Sequence, residues 1–415
     1  MDARSAVEAV FREEHGRIIA TLIRVCKSFD RAEEAMQDAF AAALTAWPET
    51  GIPQNPAAWI TAAAHRKLID RSRREKTVRE KEAPLRHHIE ALHPSNNTDD
   101  EEDYMHLPDD RLRLIFTCCH PAINRDAQVA LTLRTLGGLT TGEIAKAFLL
   151  PEPTLAQRLV RAKRKIEEAH IPYEVPAPQS LPERLGSVQT VVYLIFNEGY
   201  AAASGDQLVR NDLCNEAIRL GRMLCQLLPN DSEISGLLAL MLLQDSRRHA
   251  RVVEGQLVTL EEQDRSLWDR NEIVEGLSVL QDALRLSAPG PYCLQAQIAA
   301  VHARANTPAE TNWPLIAALY SNLLSFGESP VIALNHAVAV AMGGALQEGL
   351  TKIEALGESG ALASYYLFHA ARADILRRMR RFEEAAQSYR KALGLATNLV
   401  EQDFLRKRLA ELGVI

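Results

Sequence analysis

The sequence predicts an all-α protein. Apolar residues recur at three- and four-residue spacing, alternating β-branched runs are missing from the first 80 residues, and Ser/Thr/Asp with Glu three residues later opens periodic segments. At 415 residues, 47% of them apolar, the chain suggests two or three folded domains. No run of about 18 apolar residues is present, so no membrane span is expected. The opening MDARSAVEAVFREE carries acids and no apolar signal core, which makes a cytoplasmic protein the expectation.

In chain order, Val10, Phe11, Ile18, Leu22 and Val25 fall near one face of a first helix, Val7 to Cys26. Asp30 and Glu33 stand at capping-box spacing ahead of DRAEEAMQDAFAAALTAW. Ala35, Met36, Ala39, Phe40, Ala43 and Trp47 should pack inward there, leaving Glu33, Glu34, Gln37 and Asp38 as an acidic outer face. Three prolines and a glycine make 48–58 a loop. A helix follows that is aromatic at Trp59 and basic from His65 through Arg66, Lys67, Arg71, Arg73 and Arg74. Residues 76–106 are polar, with Pro84, Pro94 and an acid run from Asp99 to Asp103, and offer little apolar surface to offset ordering.

The stretch Leu136 to Ile166 reads as a helix-turn-helix. Thr140 and Glu143 form a capping box, Ile144, Ala145 and Phe148 a buried stripe, and Pro153 suits the first position of the next helix. Leu155, Leu159, Ala162 and Ile166 recur at i, i+4, i+7 and i+11. The opposite face carries Thr154, Gln157, Arg158, Arg161, Lys163, Arg164 and Lys165, with no acid between 153 and 166, as a helix lying between phosphate walls requires. The net charge of −7 means that nucleic-acid binding must come from such local patches.

Six cysteines are scattered without framework spacing, so disulfides are not expected. Cys118-Cys119-His120 would need a distant ligand such as His106 to complete a tetrahedral site, and reads as small buried side chains instead. No phosphate loop, GxSxG, HExxH or supported carboxylate pair occurs, so neither catalysis nor a cofactor is expected.

Residues 8–76 resemble region two of the extracytoplasmic-function sigma factors of bacterial RNA polymerase. The family's Asp-x-x-Glu-Asp-x-x-Gln-Glu/Asp-x-Phe pattern is met by Asp30, Glu33, Glu34, Gln37, Asp38 and Phe40. Its later Trp-Leu, Ala and Asp-x-x-Arg-Arg elements are met by Trp59-Ile60, Ala64, Asp70, Arg73 and Arg74, while His65-Arg66 stands where the family has Arg-Asn. The helix-turn-helix is similar to region four, through Leu136, Gly138, Leu139, Thr140, Glu143, Ile144, Ala145, Arg158, Arg161, Ala162, Lys163 and Lys165.

The resemblance implies a domain order: region two at 1–80, an acidic flexible linker at 81–106, region four at 107–170, and a linker with four prolines at 171–183. It also implies site residues. Asp30, Glu33, Glu34, Gln37 and Asp38 would grip core polymerase. Asn55 and Trp59 would capture a flipped minus-10 base, with His65, Arg66, Lys67, Arg71, Arg73 and Arg74 on phosphates. Thr154, Gln157, Arg158, Arg161, Lys163 and Lys165 would meet the minus-35 element.

Residues 184–415 read as short helices punctuated by Pro and Gly. RRFEEAAQSYRKAL, from Arg380 to Leu393, resembles half a tetratricopeptide repeat, with Phe382, Ala385, Tyr389 and Ala392 at packing positions. SPVIALNHAVAVAMGGALQEGLTKIEAL pairs helices in the same way, so an α-solenoid-like domain is expected. FTCCHPA (116–122), IFNEGY (195–200), LEEQDRSLWDR (260–270) and PGPY (289–292) are distinctive, the last two as a contact surface or as capped turns. The architecture resembles long sigma factors with a fused helical extension, whose partners would be core polymerase, promoter DNA and an intramolecular or protein partner of the extension. Two other readings stay open: a helix-turn-helix regulator acting without polymerase, which would bind palindromes as a dimer, and a ligand-binding repeat sensor with a sigma-like output.

Overall fold

A computed structural model describes residues 2–82, 110–148, 150–201 and 208–413, so the acid run at 99–103 and His106 lie outside the described residues. Among the described residues the chain is all-α apart from two-residue strands at Val252–Val253 and Gln256–Leu257, and it divides into two compact units. The first comprises Met1–Lys146 and Leu150–Val191, the second Ala147–Leu149 and Val192–Ile415.

In the first unit, α1 (Ala3–Cys26), α2 (Phe29–Thr50) and α3 (Pro56–Glu82) pack on one another. α1 starts earlier than its apolar period suggests, because the Asp2 carboxylate accepts from the Ser5 amide and caps it. Val25 is exposed, not part of the apolar face. Ser28, rather than Asp30, caps α2; Asp30 lies in its first turn. The inward residues of α2 are buried as their spacing requires. Its end differs from expectation. The helix runs through Pro48 to Thr50, forgoing the one hydrogen bond that Pro48 cannot donate, and Gly51, at φ 83, closes it by donating to the Trp47 carbonyl. The connection is therefore 51–55, and α3 continues past residue 80 to Glu82.

α4 (Asp110–Cys118) and α5 (Arg125–Thr135) precede the helix-turn-helix, α6 (Thr141–Ala147) and α7 (Glu152–Glu168). The capping box forms: the Thr140 amide donates to Glu143 Oε2 at 2.7 Å, and the Glu143 amide to Thr140 Oγ1 at 3.2 Å. Pro151 occupies the cap position of α7 and Pro153 the second position inside it, one later than expected. Phe148 is only half-buried. Cys118 and Cys119 are buried, against Thr135 Oγ1 at 3.3 Å and Thr132 Oγ1 at 3.6 Å. Burial pushes the Cys119 thiol up to about 12.

α4 and α5 pack on α1. A Cβ on Gly16 would stand 2.9 Å from the Leu136 carbonyl oxygen, so this approach needs glycine. The proline-rich segment is anchored here: Tyr173 Oη donates to the carbonyls of Ala20 and Asp110 at 2.8 and 3.1 Å, and Thr117 donates to the Pro172 carbonyl at 3.3 Å.

The second unit is built from the C-terminal part of α8 (Leu181–Tyr200), then α9 (Asn211–Leu227), α10 (Ser232–Asp245), the short α11 (Arg248–Arg251), α12 (Arg270–Leu286) and α13 (Pro291–Arg304). Antiparallel neighbours follow in α14 (Trp313–Leu324), α15 (Pro330–Met342), α16 (Leu346–Glu358), α17 (Tyr366–Arg378), α18 (Phe382–Leu395) and α19 (Leu399–Glu411). α10 is apolar all round and buried, the central rod on which α9, α12 and α13 pack. Gly236 lets α13 approach, since a Cβ would meet Cys293 N and Sγ at 2.7 Å. α15/α16 turn at Gly344 (φ 104), and α17/α18 pack through Ala373, Leu376, Ala385, Tyr389 and Ala392. Phe382 is exposed and takes no part in that packing.

Candidate nucleic-acid interface

The two faces of α7 differ sharply in chemistry. Leu155, Leu159, Ala162 and Ile166 are buried, while Thr154, Gln157, Arg161 and Lys165 are exposed in one row at i, i+3, i+7 and i+11. Arg158 and Lys163 flank the buried stripe, three residues from Leu155 and four from Leu159, and bend back onto the protein. Arg158 reaches Asp126 at 3.4 Å. Lys163 Nζ lies 2.9 Å from both Asp30 Oδ1 and Glu33 Oε2, so it joins α7 to α2.

The acidic surface of α2 is thus divided. Asp30 and Glu33 hold Lys163, whereas Glu34, Gln37 and Asp38 face outward on the side opposite the Trp47 core. Sequence reasoning missed the Lys163 contact, which spans 130 residues and leaves no local signal.

On α3, Asn55 Oδ1 accepts from the Ala58 amide at 3.0 Å and so caps the first turn, a role that its candidate base contact would share. Trp59 is half-buried and meets Trp47 edge-on, ring centroids 5.6 Å apart. This packing fixes the indole at the loop's edge. His65, Arg66 and Lys67 are exposed on the next turns; the side chains of Arg71, Arg73 and Arg74 lie outside the described residues.

These geometries stand beside three family matches. Residues 10–78 match the model of sigma-70 region 2, 113–166 that of sigma-70 region 4, and 184–284 the family of unknown function DUF6596. An uncharacterized protein of Rhizobium meliloti (strain 1021) is 42% identical over 397 residues, covering 95% of this chain and 93% of that one. The chain belongs to the extracytoplasmic-function sigma factors. It is one with a C-terminal helical extension, and its family consists of non-enzymatic transcription-initiation factors. Among the described residues no helix of this sigma factor is long and apolar enough to cross a membrane.

Proposed function

We propose that this sigma factor binds core RNA polymerase through the outer face of α2 and directs it to promoters read by α3 and α7. The observation that carries the reading is the exposed Thr154, Gln157, Arg161, Lys165 row, set by a capped two-helix unit at a spacing that suits one groove. Gln and Arg are base-reading side chains, and Lys165 suits a phosphate. On α3 the Trp59 indole, braced by Trp47, and the Asn55 amide supply the stacking wall and hydrogen-bonding edge that an unstacked base requires. Glu34 and Asp38 offer carboxylates suited to arginines of a polymerase surface. The domain boundaries follow from the same reading, with the helical extension regulating in cis.

In vitro transcription with purified core polymerase and full-length protein tests this. Promoter-dependent transcripts are expected, and Glu34→Arg with Asp38→Arg should weaken core binding. Arg161→Ala should lower the discrimination between minus-35 sequences; equal loss on every sequence would reduce Arg161 to a phosphate contact. No transcript from folded protein on any matched promoter would overturn the proposal.

A further inference from the structure

Three motifs singled out in the sequence meet inside the second unit. IFNEGY ends α8 at Tyr200, LEEQDRSLWDR brings Arg265 and Trp268, and PGPY brings Tyr292, whose ring lies 5.6 Å from that of Tyr193. Arginines 247 and 251 interleave with them. Arg251 lies 3.6 Å over the Tyr200 ring; Arg247 sits 5.9 Å from the ring centres of both Tyr200 and Trp268 and donates to Tyr200 Oη at 2.7 Å. Arg265 covers the Trp268 ring at 4.7 Å.

Among the described residues, Arg247, Arg251 and Arg265 are not directly ion-paired, although Glu401 and Glu310 act on Arg251 and Arg265 from a distance. Arg248, next in the chain, pairs with Asp245 and Glu272, and Arg222 with Glu275. Arg247, Arg251 and Arg265 make no carboxylate pair among the described residues. Glu401 acts on Arg251 from a distance, but its carboxyl accepts from the Tyr366 hydroxyl and burial weakens its acidity. Three donor-capable atoms of the same cluster, Arg265 Nε, Trp268 Nε1 and His302 Nδ1, are buried with no hydrogen-bond partner. Burial and the charges of Arg247 and Arg265 hold His302 down at about 3, so it adds no cation of its own. Partly buried cations and orphaned donors each oppose folding unless something completes them. Arg247, Arg251 and Tyr200 remain partly open to solvent, so a solute can reach them.

We propose that the Arg247–Arg251–Trp268 cluster is a binding site for a small oxyanion, a phosphate compound or a polycarboxylate, which would make the helical extension a ligand sensor. Guanidinium groups gathered beside aromatic rings can offer N–H groups to a phosphate or carboxylate, and indole and imidazole N–H groups extend the donor set. The inference stands apart from polymerase binding.

Isothermal titration of full-length protein with inorganic phosphate, pyrophosphate and citrate, at matched ionic strength, tests it and separates the two anion chemistries. Saturable binding with a Kd below about 1 mM is expected for at least one. Arg247→Gln should weaken it about ten- to a hundredfold, the loss of one charge-assisted hydrogen bond. The apo Tm of that variant should hold or rise, since an uncompensated charge has been removed; a purely structural arginine would lower it. Arg285→Gln, an exposed arginine paired with Asp282 in the same unit, should bind as before. The proposal is overturned if none of the anions saturates below that limit, if both Arg247→Gln and Arg251→Gln bind unchanged, or if Arg285→Gln loses as much.

Discussion

Replacing Lys163 by methionine should loosen the first unit and strengthen core-polymerase binding. The substitution keeps the aliphatic stem but removes an ammonium 2.9 Å from two carboxylates. The two pairs are unequal: Lys163 and Glu33 keep only 14% and 15% of their side chains exposed, whereas Asp30 keeps 70%. The open pair contributes about 0.2–1 kcal/mol and the sheltered, hydrogen-bonded one about 1.5–3 kcal/mol, before the cost of sheltering the charges. A net of about 1–3 kcal/mol holds α7 against α2. If polymerase grips Asp30 and Glu33, it must first displace Lys163, and its apparent Kd carries the small fraction of molecules already open. Lys163→Met should therefore tighten binding by roughly 5- to 150-fold, with the gain capped by the reciprocal of that fraction. Fluorescence anisotropy with labelled protein and core polymerase, without promoter DNA, gives the Kd directly. An affinity within twofold of the parent, with unchanged Tm, would refute the reasoning.

Other expectations rest on single contacts. Arg265 donates to the carbonyls of His302 and Ala305, closing the end of α13, so Arg265→Met should cost about 2–4 kcal/mol by urea denaturation, leaving those acceptors unmet. Gly236→Ala would press a methyl group onto Cys293 and should lower stability by about 1–3 kcal/mol in the same assay. His302 titrates at about 3 in the fold against an ordinary value of 6.5, so the unfolded chain binds the extra proton between those values. Its contribution is fully present above about pH 6.5 and is lost as pH falls towards 3, at up to about 1.4 kcal/mol per pH unit. Denaturation series at pH 7, 6 and 5 should show that slope, and His302→Phe should flatten it; equal slopes would dismiss the assignment.

The helices of the first unit were legible because their period, caps and breakers are local. Ala35, Met36, Ala39 and Trp47 on α2, and Leu155 through Ile166 on α7, are buried where spacing puts them. The departures are equally physical. Ser28 outcompetes Asp30 for the cap because the helix begins one residue after it, and Pro48 ends nothing because Gly51 supplies the stop. What spacing could not show is whatever joins distant segments. The Lys163 bridge, the glycine contacts at Gly16 and Gly236, and the meeting of Tyr200, Arg247 and Trp268 depend on tertiary approach. Of the candidate DNA contacts, spacing placed the outward row of α7 but could not tell that Arg158 and Lys163 fold back.

The segment 171–183 reads in the sequence as a plain connection between domains, yet it is pinned. Tyr173 clasps α1 and the start of α4 at once, Thr117 holds Pro172, and Arg184 donates to the Phe116 carbonyl at 2.5 Å. In mechanical terms the tether is sewn across the seam it leaves, not knotted at its edge. Pro172, Tyr173 and Arg184 thus spread the hold on this stretch over α1 and α4 rather than leaving it to one contact.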